Sequence, residues 1–338
     1  MTSDSHITLS HGGGGRAMAR LLEQLFFRYF DNPLLAQRND QALFTPPPGR
    51  LVVSTDSHVI APLFFPGGDI GSLAVHGTLN DVAMAGAKPL YLTAAFILEE
   101  GLAIADLERI VISMAQAAKQ AGTPIITGDT KVVERGKADG VFITTTGIGV
   151  VADGVEIASH LAIPGCAILS NGYLGDHGMA VMAGRANMRF ESDLLSDSAA
   201  LHELVAAMME AAPGAIRCLR DPTRGGVAAV LNELATQSGV GMSLDEAALP
   251  IRPAVLAACE MLGFDPLYVA NEGKLIAICD AEAVPALLAC MHHHPLGRDA
   301  AVLGQVTEGP AGVVEMKTRL GGRRVVDWPL GELLPRIC

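Results

Sequence analysis

Basic charge is what this sequence is short of. Its 338 residues carry 24 lysines and arginines against 36 acids, a net charge of −12. Such a surface repels a phosphate backbone and an anionic bilayer, so neither nucleic acid nor membrane is expected as a partner. Aromatic residues are scarce as well, at 4% with a single tryptophan, while half the residues are hydrophobic and 37 are glycine. That mix suits an α/β enzyme built on small aliphatic side chains and argues against disorder. No apolar run approaches the roughly 18–20 residues that span a bilayer. The start, Met1 to His6, lacks the basic and apolar parts of a signal peptide, so a cytoplasmic location is expected. Paired cysteines are missing too: Cys166, Cys218, Cys259, Cys279, Cys290 and Cys338 form no CxxC and no zinc-like spacing. Five sit among apolar neighbours and read as small buried hydrophobes of a reducing compartment. Cys338 is different, because it is the last residue. There is also no GxxxxGK[ST] and no GxGxxG between strand and helix, which excludes the two commonest phosphate loops.

What is present alternates. The length favours two domains. A glycine run, His11-Gly12-Gly13-Gly14-Gly15, precedes an amphipathic stretch from Ala17 to Phe30, and the proline-bearing Asp31 to Arg50 reads as a loop. Strands are expected at Leu51 to Thr55, Leu90 to Leu98, Pro124 to Thr127 and Val141 to Val151. Helices are expected from about Asp69 to Gly86 and through Leu107, Ile110, Val111, Met114 and Ala118, whose spacing is helical. Residues 152–154 make a joint, so 46–152 and 153–326 are the expected domains, with 1–45 a glycine-rich lead. In the second half, strands are expected near 166–170, 275–279, 301–306 and 312–316, and helices near 197–212, 225–236, 253–262 and 283–292. The last residues, 327–338, carry Pro329 and Pro335 and read as a mobile tail.

The candidate chemistry lies at element ends. Ser54-Thr55-Asp56-Ser57 and Thr127-Gly128-Asp129-Thr130-Lys131 each follow a strand. Asn80 and Asp81 interrupt an apolar helix, as a solvent-facing polar patch would also do. Asp221, in Asp221-Pro222-Thr223-Arg224-Gly225-Gly226, precedes a helix that it could simply cap. Together these loops suggest a nucleotide site. Asp56, Asp81 and Asp221 suit Mg²⁺, which takes a few carboxylates beside phosphate oxygens and water. Lys131 offers phosphate a point charge, and glycine-loop N–H groups can cradle it. The triplet His292-His293-His294 resembles a metal tract but reads better as a solvated helix end before Pro295.

The motifs His11-Gly12, Ser54-Thr55-Asp56, Phe65-Pro66-Gly67-Gly68-Asp69, Asn80-Asp81, Gly128-Asp129-Thr130-Lys131, Asp221-Pro222-Thr223-Arg224-Gly225-Gly226, Asn271-Glu272-Gly273-Lys274 and the terminal Pro335-Arg336-Ile337-Cys338 run in order along the chain. In that order the sequence resembles the HypE family of hydrogenase maturation proteins. That family belongs to the superfamily of aminoimidazole ribonucleotide synthetase and selenophosphate synthetase. The resemblance implies a two-domain α/β (α+β) fold, with an N-terminal ATP-binding and dimerising domain and a C-terminal α+β domain. It implies a homodimer, a carbamoyl group received on Cys338 from the carbamoyltransferase HypF, and ATP-dependent dehydration of that S-carboxamide to a thiocyanate. The cyano group would pass through a HypC–HypD complex to the iron of a [NiFe]-hydrogenase. Cys338, Glu272, Lys131 and His177 become the catalytic candidates, with Glu272 as base and His177 as its understudy. Gly12, Gly13, Asp56, Asn80, Asp81, Gly128, Asp129, Thr130, Lys131 and Asp221 are the candidates for holding Mg-ATP. Two other functions fit the pattern less well: another amide-activating synthetase of the superfamily, and a thiol carrier without ATP chemistry. The α-carboxylate beside the Cys338 thiol raises its pKa and Arg336 lowers it, and the sequence leaves the balance open.

Overall fold

A computed structural model describes residues 5–185, 194–331, 334 and 336–338; Pro335 of the terminal motif lies outside them. The first sheet holds β1 (Arg50–His58), β2 (Lys88–Glu99), β3 (Ile125–Val133) and β4 (Val141–Val151) in the order β1-β4-β2-β3. Only the β2–β3 pair is parallel. Two helices cover one face, α1 (Ile70–Met84) and α2 (Ile104–Gln120). Asp69 starts α1 with its carboxylate accepting from the N–H groups of Gly71 and Ser72, at 2.8 and 3.1 Å. The helical spacing read in α2 is real, since Leu107, Ile110, Val111, Met114 and Ala118 are all buried.

Strict alternation in β1 and β4 divides the sheet into two faces. Ser54, Asp56 and His58 turn toward α1, while Leu51, Val53, Thr55 and Ser57 are exposed. In β4, Val141, Ile143 and Thr145 are buried inward and Thr144 and Thr146 lie on the other side. On β3, Thr130 is buried but its neighbours Asp129 and Lys131 are exposed on the open face.

The second sheet has seven strands: β5 (Ala167–Ser170), β6 (Ile216–Arg220), β7 (Gly241–Asp245), β8 (Ile276–Cys279), β9 (Ala301–Thr307), β10 (Val314–Lys317) and β11 (Arg323–Val325). Their order is β11-β10-β7-β9-β5-β8-β6. Helices α3 (Asp176–Arg185), α4 (His202–Ala211), α5 (Gly226–Ser238), α6 (Pro253–Leu262) and α7 (Val284–His293) pack on it and on one another. Ala83 and Met84 at the end of α1 share a core with Leu204, Val205 and Met208 of α4, which joins the halves. Among the described residues no helix is long and apolar enough to cross a membrane.

The structure departs from the expected elements in three places. The Gly128 to Lys131 segment is not a loop after a strand but the middle of β3, which runs on to Val133. Asp56 likewise lies inside β1, because threonines and serines pair across to β4 as well as valines do. Helix α3 and strands β6, β7 and β11 were not expected at all. They are short; burial within the second half sets α3, β6 and β7 more than periodicity does, and β11 is set by its pairing with β10.

Candidate active site

The strongest local device is close backbone approach. A Cβ at Gly273 would lie 1.8 Å from the carbonyl oxygen of Asp197, so only glycine lets the two segments touch. That contact seats Glu272, whose N–H donates to Asp197 Oδ1 at 3.0 Å. Asn80 completes the frame. Its amide donates to the carbonyls of Ala199 and Glu272, at 3.0 and 2.9 Å, and its Oδ1 accepts from Leu201 N–H at 2.8 Å. This side chain is fully buried and wholly committed to backbone, so it positions Glu272 and is not free to hold a nucleotide.

Asp56, His58 and Glu272 converge on Gly77 of α1. Its Cα–H edge points at His58 Cε1, Asp56 Oδ2 and Glu272 Oε2, all within 3.9 Å of where a Cβ would stand. Glu272 is 2% exposed and its Oε1 has no hydrogen-bond partner. Burial pushes its carboxyl well above the usual range, reinforced by Asp221, Asp197 and Asp56. Asp221 is pushed up to about 7, first by burial and then by Asp81. Asp81, which accepts from Ser54 Oγ at 2.7 Å, also shifts upward, chiefly by burial and also through Asp56. Asp197 goes the other way. Despite burial, its ion pair with Lys274 at 3.0 Å and the hydrogen bond from Glu272 N–H hold it low.

The three aspartates offered to Mg²⁺ share one cleft, close enough for Asp81 and Asp56 to raise Asp221. Their oxygen-donor chemistry and uncompensated negative charge suit a divalent cation. Among the described residues, however, no trio of His, Cys, Asp or Glu side chains converges closely enough to hold a metal ion by itself. Phosphate oxygens and water would have to supply the remaining ligands. His292, His293 and His294 stay a helix end: each ring bonds nearby backbone, at 3.0, 2.6 and 3.2 Å.

The last residues are seated in this cleft, whereas the sequence alone suggested a free arm. The N–H groups of Val59 and Ala61 donate to the carbonyls of Cys338 and Arg336, at 3.3 and 3.2 Å, in a short ladder beyond β1. Ile337 is buried at 3% exposure in the core of the first half. Its carbonyl accepts from His177 Nε2 at 2.8 Å, while His177 Nδ1 pairs with Ser196 Oγ at 2.8 Å. Both ring nitrogens are occupied, and burial lowers the imidazole's pKa. His177 is thus a neutral clamp on the tail rather than a spare base. Arg336 pairs with Asp139 and does not face the thiol. Arg224 does, with Nη1 4.0 Å from Cys338 Sγ. Burial and Glu272 nevertheless push the thiol up to about 12. A cavity of about 450 Å³ opens beside it, lined by Val59, Arg224, Gly225, Tyr268 and Pro329.

Lys131 is elsewhere. Asp56, Thr145, Ala94 and Gly128 lie side by side across the first sheet, so β3 stands three strand spacings from Asp56, about 14 Å. Lys131 also points to the opposite face, where it pairs with Asp129 at 2.8 Å and holds that carboxyl low. Gly12 packs against Val132, where a Cβ would come within 2.9 Å of Val132 Cβ, and Gly13 is exposed beside it. Gly128, Asp129 and Thr130 edge a groove of about 400 Å³ with Met18, Phe26 and Phe30. The candidate residues thus fall into two groups that one chain does not bring together.

Sequence reasoning missed His58, Asp197 and the role of Arg224. The Asp56-x-His58 spacing in a strand was a usable signal, since it puts both on one face. Nothing local marks Asp197; only the fold carries it to Glu272.

Comparison with known proteins completes the picture. Residues 38–151 match the AIR synthase related protein N-terminal domain, and residues 164–317 match its C-terminal domain. The carbamoyl dehydratase HypE of Cupriavidus necator is 63% identical, over 98% of this chain and 95% of that protein. A crystal structure of the hydrogenase maturation protein HypE in complex with ATP is 49% identical and superposes with a TM-score of 0.94, covering 98% of this chain and 99% of the other. A HypE–HypF complex contains a chain 47% identical with a TM-score of 0.80, covering 91% and 99%. Two adjoining domains, full-length similarity and a shared fold agree: this chain belongs to the HypE family of AIR synthase related proteins.

Proposed function

We propose that this protein is an ATP-dependent carbamoyl dehydratase that converts an S-carboxamide on Cys338 into a thiocyanate. One observation carries the reading: the chain's own terminal thiol is held inside a carboxylate cleft, beside a buried glutamate with an unpartnered oxygen. An amide oxygen is a poor leaving group. Passing it to the γ-phosphate of ATP lets it depart as phosphate, while both N–H protons leave the nitrogen and the C≡N bond closes. The sum is carboxamide plus ATP to thiocyanate, ADP, phosphate and a proton. Glu272 is the proton acceptor, its basicity raised by burial and by three neighbouring carboxylates. His177 and Ile337 hold the tail so that the sulfur stays at the cleft. Asp56, Asp81 and Asp221 would hold Mg²⁺, which when bound offsets charge on the phosphates.

ATP binding in the solved relative supports the nucleotide half of the reading, and the HypE–HypF complex supports a carbamoyltransferase as donor. Delivery of cyanide to hydrogenase iron through HypC and HypD follows from the family and completes the cytoplasmic sequence of reactions. A homodimer is part of the reading. The open sheet face exposes Leu51, Val53 and Ile97, an apolar strip for a second copy to cover, and Lys131 lies on that same face, so a second copy laid there would meet it. The test is intact-protein mass spectrometry of the carbamoylated chain before and after ATP. Loss of one water, localised to Cys338, is the expected result; a carbamoylated wild-type chain unchanged by Mg-ATP would overturn it. ATP hydrolysis coupled to that loss separates the enzyme from a passive thiol carrier.

A further inference from the structure

Of the charged groups around Cys338, Arg224 is the one whose side chain reaches the sulfur, and the mechanism above leaves it without a task. It follows Asp221-Pro222-Thr223 and precedes Gly225 and Gly226, both with positive φ, at the start of α5. From there Nη1 stands 4.0 Å from Cys338 Sγ, and the guanidinium faces Asp56 and Glu272 as well as the thiol. Arg224, Glu272 and the thiol lie close together, so a group attached to the sulfur meets both a cation and a carboxylate.

Building on the dehydratase reading, we propose that Arg224 is a catalytic residue that binds the carboxamide oxygen and so sorts the two ends of the amide. A carboxamide presents one acceptor, its oxygen, and two N–H donors; guanidinium has five donors and no acceptor, and a carboxylate only accepts. The two poses of the planar group are consequently unequal. With oxygen on Arg224 and nitrogen on Glu272, both ends are paired. In the flipped pose a donor meets donors and an acceptor meets an acceptor. The favoured pose is also the productive one, with the N–H protons at the base and the oxygen beside a fixed positive charge as it takes up the phosphoryl group. The thiocyanate product has no N–H to give Glu272, so the reaction dissolves half of the pairing that held its substrate.

The experiment uses the full-length chain carrying a ¹³C-labelled carbamoyl group on Cys338, as wild type, Arg224→Met and Arg224→Lys. Infrared difference spectra without ATP report the carbonyl stretch, and single-turnover mass spectrometry with Mg-ATP reports dehydration. Loss of the Arg224 contact should move the stretch to higher wavenumber in Arg224→Met and slow dehydration roughly a hundredfold, the usual cost of one donor to a developing oxyanion. Arg224→Lys, which keeps the charge but not the planar fork, should fall between on both readouts. An Arg224→Met chain with the wild-type stretch and the wild-type rate would overturn the inference. A wild-type chain that never loses water would instead overturn the dehydratase reading, and the stretch would still show whether Arg224 holds the oxygen.

Discussion

On the open face of the first sheet, Asp129 and Lys131 neutralise each other in water; on its covered face, Asp56 and Asp81 crowd Asp221 and Glu272 with only arginines at the margin. The same residue type behaves oppositely in the two places. Asp129 is held below the ordinary carboxylate range and Asp221 is driven up to about 7. The exposed pair is screened and rearranges easily. The buried group is not screened, and burial first, then repulsion by neighbouring carboxylates, raises Glu272 and Asp221. A screened ion pair and a set of buried, mutually repelling carboxylates thus stand on opposite sides of one sheet.

The largest effect should come from the covered face. Glu272→Gln keeps the size and hydrogen bonding of the side chain but loses its basicity. It should accept the carbamoyl group on Cys338 and then accumulate it when ATP is added, with dehydration down by orders of magnitude. In the wild type the rate should fall as pH drops through a pKa above the ordinary glutamate value, because the base must be ionised; rates across pH 5–9 check this. Cys338→Ala should abolish cyano-group formation outright.

Mixing variants tests the separation itself. If Lys131 serves the cleft of a second copy, Lys131→Ala and Glu272→Gln chains are each inactive alone. Combined in equal amounts they should recover about one quarter of wild-type activity, since half the dimers are mixed and each has one intact site. No recovery after subunit exchange, verified by native mass spectrometry, would place Lys131 in its own chain's chemistry or outside it.

The buried charge should be visible in stability. Asp221 has its pKa raised on folding, so the native state binds the extra proton and stability falls as pH rises from about 4 to about 7. Asp221→Asn removes that penalty. Without divalent cations it should gain on the order of 1–2 kcal/mol at pH 7.5 and nothing at pH 4, measured by urea unfolding at both pH values. The Asp129→Asn change on the open face should leave this difference unaltered.

The smallest effect concerns the seat of the tail. Ile337→Ala removes a buried side chain worth about 2 kcal/mol, which should lower the docking equilibrium constant roughly thirtyfold and leave the fold intact. The checking measurement is alkylation of Cys338, whose thiol is protected while seated and should react faster in the variant. His177→Gln should do the same more weakly, because a glutamine amide can still donate to the Ile337 carbonyl.

By itself the sequence determined the elements with strong period and the residues that carry chemistry by type. The helical spacing of α2, the long valine-, isoleucine- and threonine-rich run of β4 and the helix at 253–262 rest on short-range signals, and they folded as read. The aspartate motifs and the terminal cysteine were equally legible, because their chemistry is in the side chain. Only the tertiary structure decided how these residues are grouped. Strand alternation put Lys131 on one face and Asp56 on the other, although their two loops had together suggested one nucleotide site. Asn80, expected to meet a nucleotide, was spent on the backbone of a segment 119 residues away. The balance at the Cys338 thiol was settled not by its neighbour Arg336 but by burial and by Glu272. Side-chain identity is local, whereas pairing, burial and pKa depend on what a long-range contact brings alongside; no window of sequence contains that information.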